Sequence, residues 1–137
     1  MNDHTIHLVK ESFDLVEPIA PQAAELFYAN LFALDPSLQP LFKSDRVAQG
    51  EKLMQMISLA VGMLDRPQVL QPVLRELGVR HADYGVREEH YDSVGTAFLA
   101  TMEQGTGVAF TDDVREAWVE VYGEIAGTMK QAARIAA

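Results

Sequence analysis

The sequence predicts an all-α protein, and three observations lead to that class. Apolar residues recur at three- and four-residue steps along almost the whole chain, which is the period of an amphipathic helix. No segment alternates apolar and polar residues in the way that is typical of strands. Prolines and glycines fall between the periodic segments and separate one predicted helix from the next. The uneven segment lengths fit poorly with a simple four-helix bundle.

The first two helices are predicted on either side of Pro18 and Pro21. Asp3 or Thr5 is the expected N-cap of the first helix. The apolar stripe of that helix comprises Ile6, Val9, Phe13 and Val16. The second helix is predicted to run from Pro21 to Leu34, and its apolar side comprises Ala24, Phe27, Tyr28 and Leu31.

An irregular corner and a third helix are predicted next. The pairs Asp35-Pro36 and Gln39-Pro40 interrupt the helical backbone and predict a corner that ends at Phe42. The third helix is predicted from about Asp45 to Leu64, and its stripe comprises Gln49, Leu53, Met56, Ile57 and Ala60.

The next segment is punctuated by Pro67 and Pro72 and leads to His81, with Gly85 at its end. His81 follows an apolar series at four-residue steps that comprises Val69, Val73 and Leu77. That register predicts that the imidazole points inward from a helix. A neutral inward histidine can bind the iron of a cofactor, but a lone histidine on an apolar face is more often an ordinary core residue with a hydrogen-bond partner.

The last two helices are the longest predicted elements. The apolar face of the first comprises Tyr91, Val94, Phe98 and Met102, and it stops at a loop with Gly105 and Gly107. Thr111 is the expected N-cap of the second, with Asp112 and Asp113 favourably placed in the first turn. Its stripe comprises Val114, Trp118, Val121, Ile125 and Met129. Trp118 and Tyr122 are interpreted as core residues.

Composition limits the classes of function. The chain has 137 residues, so we expect one domain over residues 1–137 that is large enough to enclose a cavity. The net charge is −9 and the basic residues do not cluster, which argues against nucleic acid as a partner. Because there is no cysteine, disulfides, thiolate catalysis and Cys-based metal sites are excluded. The N-terminal segment lacks an apolar run suited to a signal peptide or a membrane span, so we expect a soluble cytoplasmic protein without membrane insertion.

Five motifs together resemble the bacterial single-domain globins, a group that includes the Vitreoscilla-type haemoglobins and the globin domain of flavohaemoglobins. The motifs occur in order, at compatible separations, over nearly the whole chain. They are FYANLFALDPSLQPLF (27–42), QGEKLM (49–54), LGVRHADYGV (77–86), EEHYDSVG (88–95) and EAWVEVYG (116–123). The resemblance implies a globin fold in which the helices pack around one buried haem.

The resemblance also implies roles for individual residues around the haem. His81 matches the proximal histidine that binds haem iron, and Phe42 matches the phenylalanine that packs on the haem face. Tyr91 matches a proximal tyrosine. The chain departs from the family at Ala133, eleven residues after Tyr122, where a glutamate usually joins the proximal tyrosine and histidine. This departure weakens the case for oxygen-activating chemistry.

On the opposite side, Tyr28 and Gln49 match the two polar residues of the ligand pocket, and Leu53 matches one of its apolar walls. An O₂ ligand polarised by iron carries partial negative charge, so a hydroxyl or amide donor stabilises it. Taken alone, Tyr28 is better explained as a core tyrosine and Gln49 as a solvated residue at a helix start, and it is the resemblance that favours the ligand-pocket roles.

The remaining histidines and one arginine have simpler interpretations. His4 and His7 are expected to be solvated at the start of the first helix. Arg80 and His90 could approach a haem propionate, although surface exposure is the expectation for each.

The resemblance therefore implies haem b (iron protoporphyrin IX), held without thioether links because cysteine is absent. The leading function is reversible O₂ binding for storage or delivery, with NO and CO as further candidate ligands. One alternative is nitric oxide dioxygenation with a separate reductase, since 137 residues leave no room for reductase modules. The others are haem-based gas sensing and a cofactor-free helical interaction module.

Overall fold

The computed structural model describes residues 1–42 and 45–137 and contains helices but no strand within them, which confirms the all-α class. None of the helices in these two ranges combines the length and the apolar character that crossing a membrane requires. The α-helices are α1 (Asp3–Val16), α2 (Ala20–Leu34), α3 (Arg46–Gly62), α4 (Pro67–Asp83), α5 (Glu88–Thr106) and α6 (Asp112–Ala136). Short 3-10 helices lie at Glu17–Ile19, Pro36–Leu41 and Gly107–Ala109.

Side chains that accept hydrogen bonds from the first turn cap three of the helices. Asn2 caps α1 because its Oδ1 accepts a hydrogen bond of 2.8 Å from the backbone N–H of Thr5. The prediction of Asp3 or Thr5 as this cap is therefore wrong. Asn2 has the extended backbone that lets its side chain reach back to the first turn, whereas Asp3 is already helical. Asp45 caps α3, and Thr111 caps α6 as predicted.

The core lies where two helix pairs meet, with α4 packed on α6 and α2 packed on α5, while α1 also lies on α6. Trp118 is at its centre, against the rings of Phe13 and Phe98, and its Nε1 donates a hydrogen bond of 2.8 Å to Ser12 Oγ. The prediction that Trp118 is a core residue is confirmed. The most deeply buried large side chains are Val9, Phe13, Val16, Leu31, Leu38, Leu64, Met102 and Val121.

Helix α4 differs from its predicted orientation. It continues through Pro72 without a break, and its fully buried residues are Leu70, Leu74 and Gly78. The predicted stripe lies one residue to the side, so Val69 is 42% exposed while Val73 and Leu77 are only half-buried. Close packing of Gly78 on α6 sets this rotation, since a Cβ there would lie 2.2 Å from the carbonyl oxygen of Met129.

Candidate functional site

His81 lies one turn before the end of α4 and is half-buried. Its Nδ1 is 2.8 Å from the carbonyl oxygen of Leu77, one turn back in the same helix. A carbonyl oxygen only accepts hydrogen bonds, so this contact places the ring proton on Nδ1. The lone pair of Nε2 is then directed away from the helix. This is the tautomer in which a histidine can bind a metal through Nε2.

A tyrosine beside the His81 ring is itself held by a second tyrosine. The Tyr91 ring, on α5, lies 6.5 Å from the His81 ring between centroids, at an interplanar angle of 30°. Tyr122, on α6, donates a hydrogen bond of 2.6 Å to the carbonyl oxygen of Tyr91. Burial raises the pKa of both phenols. We refer to His81, Tyr91 and Tyr122 as the His81 cluster, and both tyrosines are neutral at physiological pH.

The close approach of α5 to α6 depends on Gly95. A Cβ at this position would lie 2.6 Å from Cε2 of the Tyr122 ring, so only glycine leaves room for that ring. Neither Gly95 nor Gly78 belongs to the residues predicted for the site from the sequence. Each glycine lies on the buried side of its helix, and that placement is the signal that could have identified both as packing positions.

A second cluster of aromatic side chains surrounds Tyr28 on α2. The Tyr28 ring stacks on Phe32 at 5.9 Å between centroids and meets the edge of Phe42 at 5.3 Å. Phe27 contacts the same tyrosine at 5.4 Å. Tyr28 is only 3% exposed, and burial raises the pKa of its hydroxyl, which therefore stays protonated and able to donate a hydrogen bond. These four residues are referred to as the Tyr28 cluster.

The start of α3 lies against the Tyr28 cluster. A Cβ at Gly50 would be 2.9 Å from Cβ of Ala24 and 3.8 Å from Cε2 of Tyr28, so α2 and α3 are nearly in contact there. Gln49 precedes Gly50 in α3. Gln49 and Leu53 are half-buried, whereas the fully buried residues of α3 are Gly50, Met54 and Val61. The predicted α3 stripe is therefore only partly buried, and the fully buried side of α3 lies next to it.

The corner after α2 connects the two clusters. Phe42 is half-buried immediately after the 3-10 helix, and its ring lies 5.5 Å from that of Phe32. Leu41, just before it, packs beside Gly85 at the end of α4, where a Cβ would lie 3.6 Å from Leu41 Cδ2. Gly85 has a φ of 95°, which glycine adopts without strain. The proline corner thus lies next to the helix end that carries His81.

The other histidines have structural roles or are exposed. His4 and His7 are exposed as predicted, and His7 Nε2 lies 2.7 Å from a carboxylate oxygen of Glu11. The expectation that His90 is exposed is wrong, because this residue is only 8% exposed. Its Nδ1 accepts a hydrogen bond of 2.9 Å from the backbone N–H of Arg87. His90 therefore caps the start of α5.

Arg80 and Ala133 differ in their burial. Arg80 is exposed as expected, and its guanidinium contacts Glu76 at 2.6 Å, one turn back in α4. Ala133 is half-buried in the last turns of α6, and its methyl side chain carries no carboxylate.

A groove of about 1050 Å³ lies elsewhere, along the seam between α2 and α3. Tyr28, Gly50 and Met54 are among its lining residues, while Arg46 and Glu25 are among the charged ones. His81 does not line it. The groove and the His81 cluster are therefore separate parts of the molecule, and Tyr28 is the member of the Tyr28 cluster that lines the groove.

Comparison with known proteins gives a consistent family. A family model described as Globin matches residues 25–129. A flavohemoprotein of Chromobacterium violaceum is 31% identical over 133 residues, which cover 94% of this chain and 33% of that protein. The chain spans about a third of the length of the curated relatives it matches.

Solved structures share the fold. A bacterial globin from Campylobacter jejuni superposes with a TM-score of 0.85 at 20% identity, covering 98% of each chain. An engineered carbene transferase, described as a candidate nitric oxide dioxygenase from Rhodothermus marinus, superposes with a TM-score of 0.88 at 23% identity, covering 99% of this chain and 95% of its own. The helical arrangement described above is therefore that of these globins.

Proposed function

We propose, because this chain belongs to the globin family, that residues 1–137 form one globin domain that holds haem b through His81 and binds O₂ reversibly. The relatives described as flavohemoproteins support a haem cofactor in this domain. Haem supplies the iron at which a diatomic gas binds and is released.

The observation that carries the proposal is the contact between His81 Nδ1 and the carbonyl oxygen of Leu77 at 2.8 Å. It holds the imidazole in one tautomer and one orientation, and the lone pair of Nε2 is the one that can bind a metal. Tyr91 lies beside the ring and limits its rotation. A single neutral nitrogen donor of this kind, on a helix next to apolar and aromatic side chains, fits the chemistry of haem b.

The Tyr28 cluster supplies the second requirement, a hydrogen-bond donor in a dry environment. The protonated Tyr28 hydroxyl can donate to a diatomic ligand that carries partial negative charge. Gln49 follows as a second donor, because the Gly50 contact brings the start of α3 to Tyr28. Phe42 and Leu53 provide apolar surface that excludes water, which strengthens such a bond.

The test replaces His81 with alanine and measures haem binding by the Soret band and by titration. His81→Ala should lose haem or bind it far more weakly, and added imidazole should restore part of the spectrum. His7→Ala is the matched control, because His7 is exposed on α1, and it should bind haem like the wild type. A wild-type Soret band and unchanged haem affinity in His81→Ala would contradict the assignment.

Nitric oxide dioxygenation is the second candidate, because the curated relatives are described as flavohemoproteins. That reaction needs electrons at every turnover, so it would require a reductase as partner. The deciding measurement is steady-state NO consumption with NADH and a reductase preparation, with wild type compared with Ala133→Glu. Sustained turnover by the wild type, with no gain from the glutamate, would favour the dioxygenase over the O₂ carrier.

A further inference from the structure

We infer that Lys130 raises the reduction potential of haem held by His81, by placing a positive charge on the face of the Tyr91 ring. The inference rests on the proposed function, since it concerns haem bound at His81. Lys130 acts through the Tyr91 ring, as a residue that positions a charge.

The geometry forms a short series from Lys130 to His81. Lys130 is half-buried on α6, and its Nζ lies 6.0 Å from the centroid of the Tyr91 ring. This is the range in which an ammonium group is attracted to an aromatic face. The Tyr91 ring also lies 6.5 Å from the His81 ring, measured between centroids. The ammonium charge is thus separated from the proposed iron ligand by one aromatic ring.

Glu88 is the nearby carboxylate that opposes this charge, since burial and then the charge of Glu88 raise the pKa of Tyr91. A second cation, Arg134, offsets part of that negative charge. Glu88, in the first turn of α5, accepts a hydrogen bond of 2.7 Å from Arg134 Nε and a second from the same guanidinium. Both groups are exposed, and Arg134 is the first cause of the lowered pKa of Glu88. The group formed by Lys130, Arg134 and Glu88 therefore carries two positive charges and one negative charge.

The sign of the effect follows from electrostatics. Ferric haem carries one positive charge more than ferrous haem, so a fixed cation nearby favours the ferrous form. A carboxylate at the same distance would have the opposite effect. In this chain Ala133 contributes no charge, and Lys130, Arg134 and Glu88 together carry a net charge of +1.

The experiment compares Lys130→Gln with Arg115→Gln, which removes one positive charge from the exposed start of the same helix. Haem content is measured first, followed by spectroelectrochemical titration at low ionic strength, where screening is weak. At a fixed ambient potential, Lys130→Gln should lower the ratio of ferrous to ferric protein about three- to tenfold. This corresponds to a fall of about 30–60 mV in the reduction potential, at about 59 mV per tenfold change. Arg115→Gln should change the ratio less than twofold, and Lys130→Arg should retain the wild-type value.

A second substitution tests the opposite sign. Glu88→Gln removes the only carboxylate of the group and should raise the ferrous fraction, whereas a purely structural role for these residues gives no reason for opposite shifts. Equal shifts in Lys130→Gln and Arg115→Gln, or shifts of the same sign in Lys130→Gln and Glu88→Gln, would overturn the inference. If Lys130→Gln loses haem, Lys130→Met replaces it, because the apolar methionine side chain preserves the packing of the methylene groups of Lys130. Failure of the wild type to bind haem at all would instead refute the proposed function.

Discussion

Gly78 is the point at which α4 lies closest to α6, and replacing it with alanine should destabilise the protein. The added Cβ would lie 2.2 Å from the carbonyl oxygen of Met129, 2.7 Å from its Cα and 2.8 Å from its carbonyl carbon. All three are backbone atoms, so no side-chain rotation can relieve the contact. The two helices must separate, and His81 moves with α4.

The magnitude combines two opposing effects. Overpacking of this kind costs about 1–3 kcal/mol, and contact with the backbone places Gly78→Ala near the upper limit. Alanine is favoured over glycine in a helix by about 1 kcal/mol, which offsets part of the cost. The expected net loss is about 2 kcal/mol in the free energy of unfolding. For a chain of this length that corresponds to about 7 °C in melting temperature.

The assay is thermal and urea unfolding followed by circular dichroism. Gly123→Ala and Gly127→Ala are the matched controls, because both lie within α6 and a Cβ at either position meets no atom within 4 Å. Each should stabilise the protein by up to about 1 kcal/mol. If Gly78→Ala melts at or above the wild-type temperature while the controls behave as expected, the described contact between α4 and α6 is refuted.

Three further substitutions test other parts of the molecule. Tyr28→Phe should raise the O₂ release rate roughly 10- to 150-fold in stopped-flow experiments, since a hydrogen bond to a charged group contributes about 1.5–3 kcal/mol. Equal changes in the CO release rate would exclude hydrogen bonding as the cause. Phe42→Ala should cost about 3 kcal/mol of holoprotein stability and accelerate haem transfer to an acceptor globin, whereas an unchanged rate would place Phe42 away from haem. Trp118→Phe should cost about 1–2 kcal/mol in urea unfolding, because it removes the hydrogen bond to Ser12, and a neutral result would contradict that bond.

Much of the fold could be predicted because hydrophobic period and helix-ending residues are local signals. The proline corner before Phe42 and the Thr111 cap were both predictable from a few neighbouring residues. The rotation of α4 was not, because it is set by contact between Gly78 and α6, which lies about fifty residues later in the chain. A four-residue series beginning at Val69 and one beginning at Leu70 are equally apolar in sequence.

The candidate site likewise divides into features with a local sequence signal and contacts that form only on folding. The sequence indicated His81 and Tyr28 because both lie within recognisable motifs. The inward register predicted for His81 was only partly right, since His81 is half-buried and its stripe lies one residue to the side of the buried residues of α4. Nothing in the sequence indicated that His90 caps α5 or that Lys130 lies over Tyr91, since each contact depends on how side chains meet after folding. The roles of these residues toward haem remain predictions that the substitutions above address.

The hydrogen bond between Ser12 and Trp118 has a consequence for how the chain is made. The two residues are 106 positions apart, and α1 packs mainly on α6. During synthesis at roughly 5–20 residues per second, the first helix therefore waits roughly 5–20 s for its partner. In that interval the apolar face with Val9, Phe13 and Val16 has no α6 to cover it. Helix α1 therefore leaves the ribosome well before the helix that covers most of its apolar face.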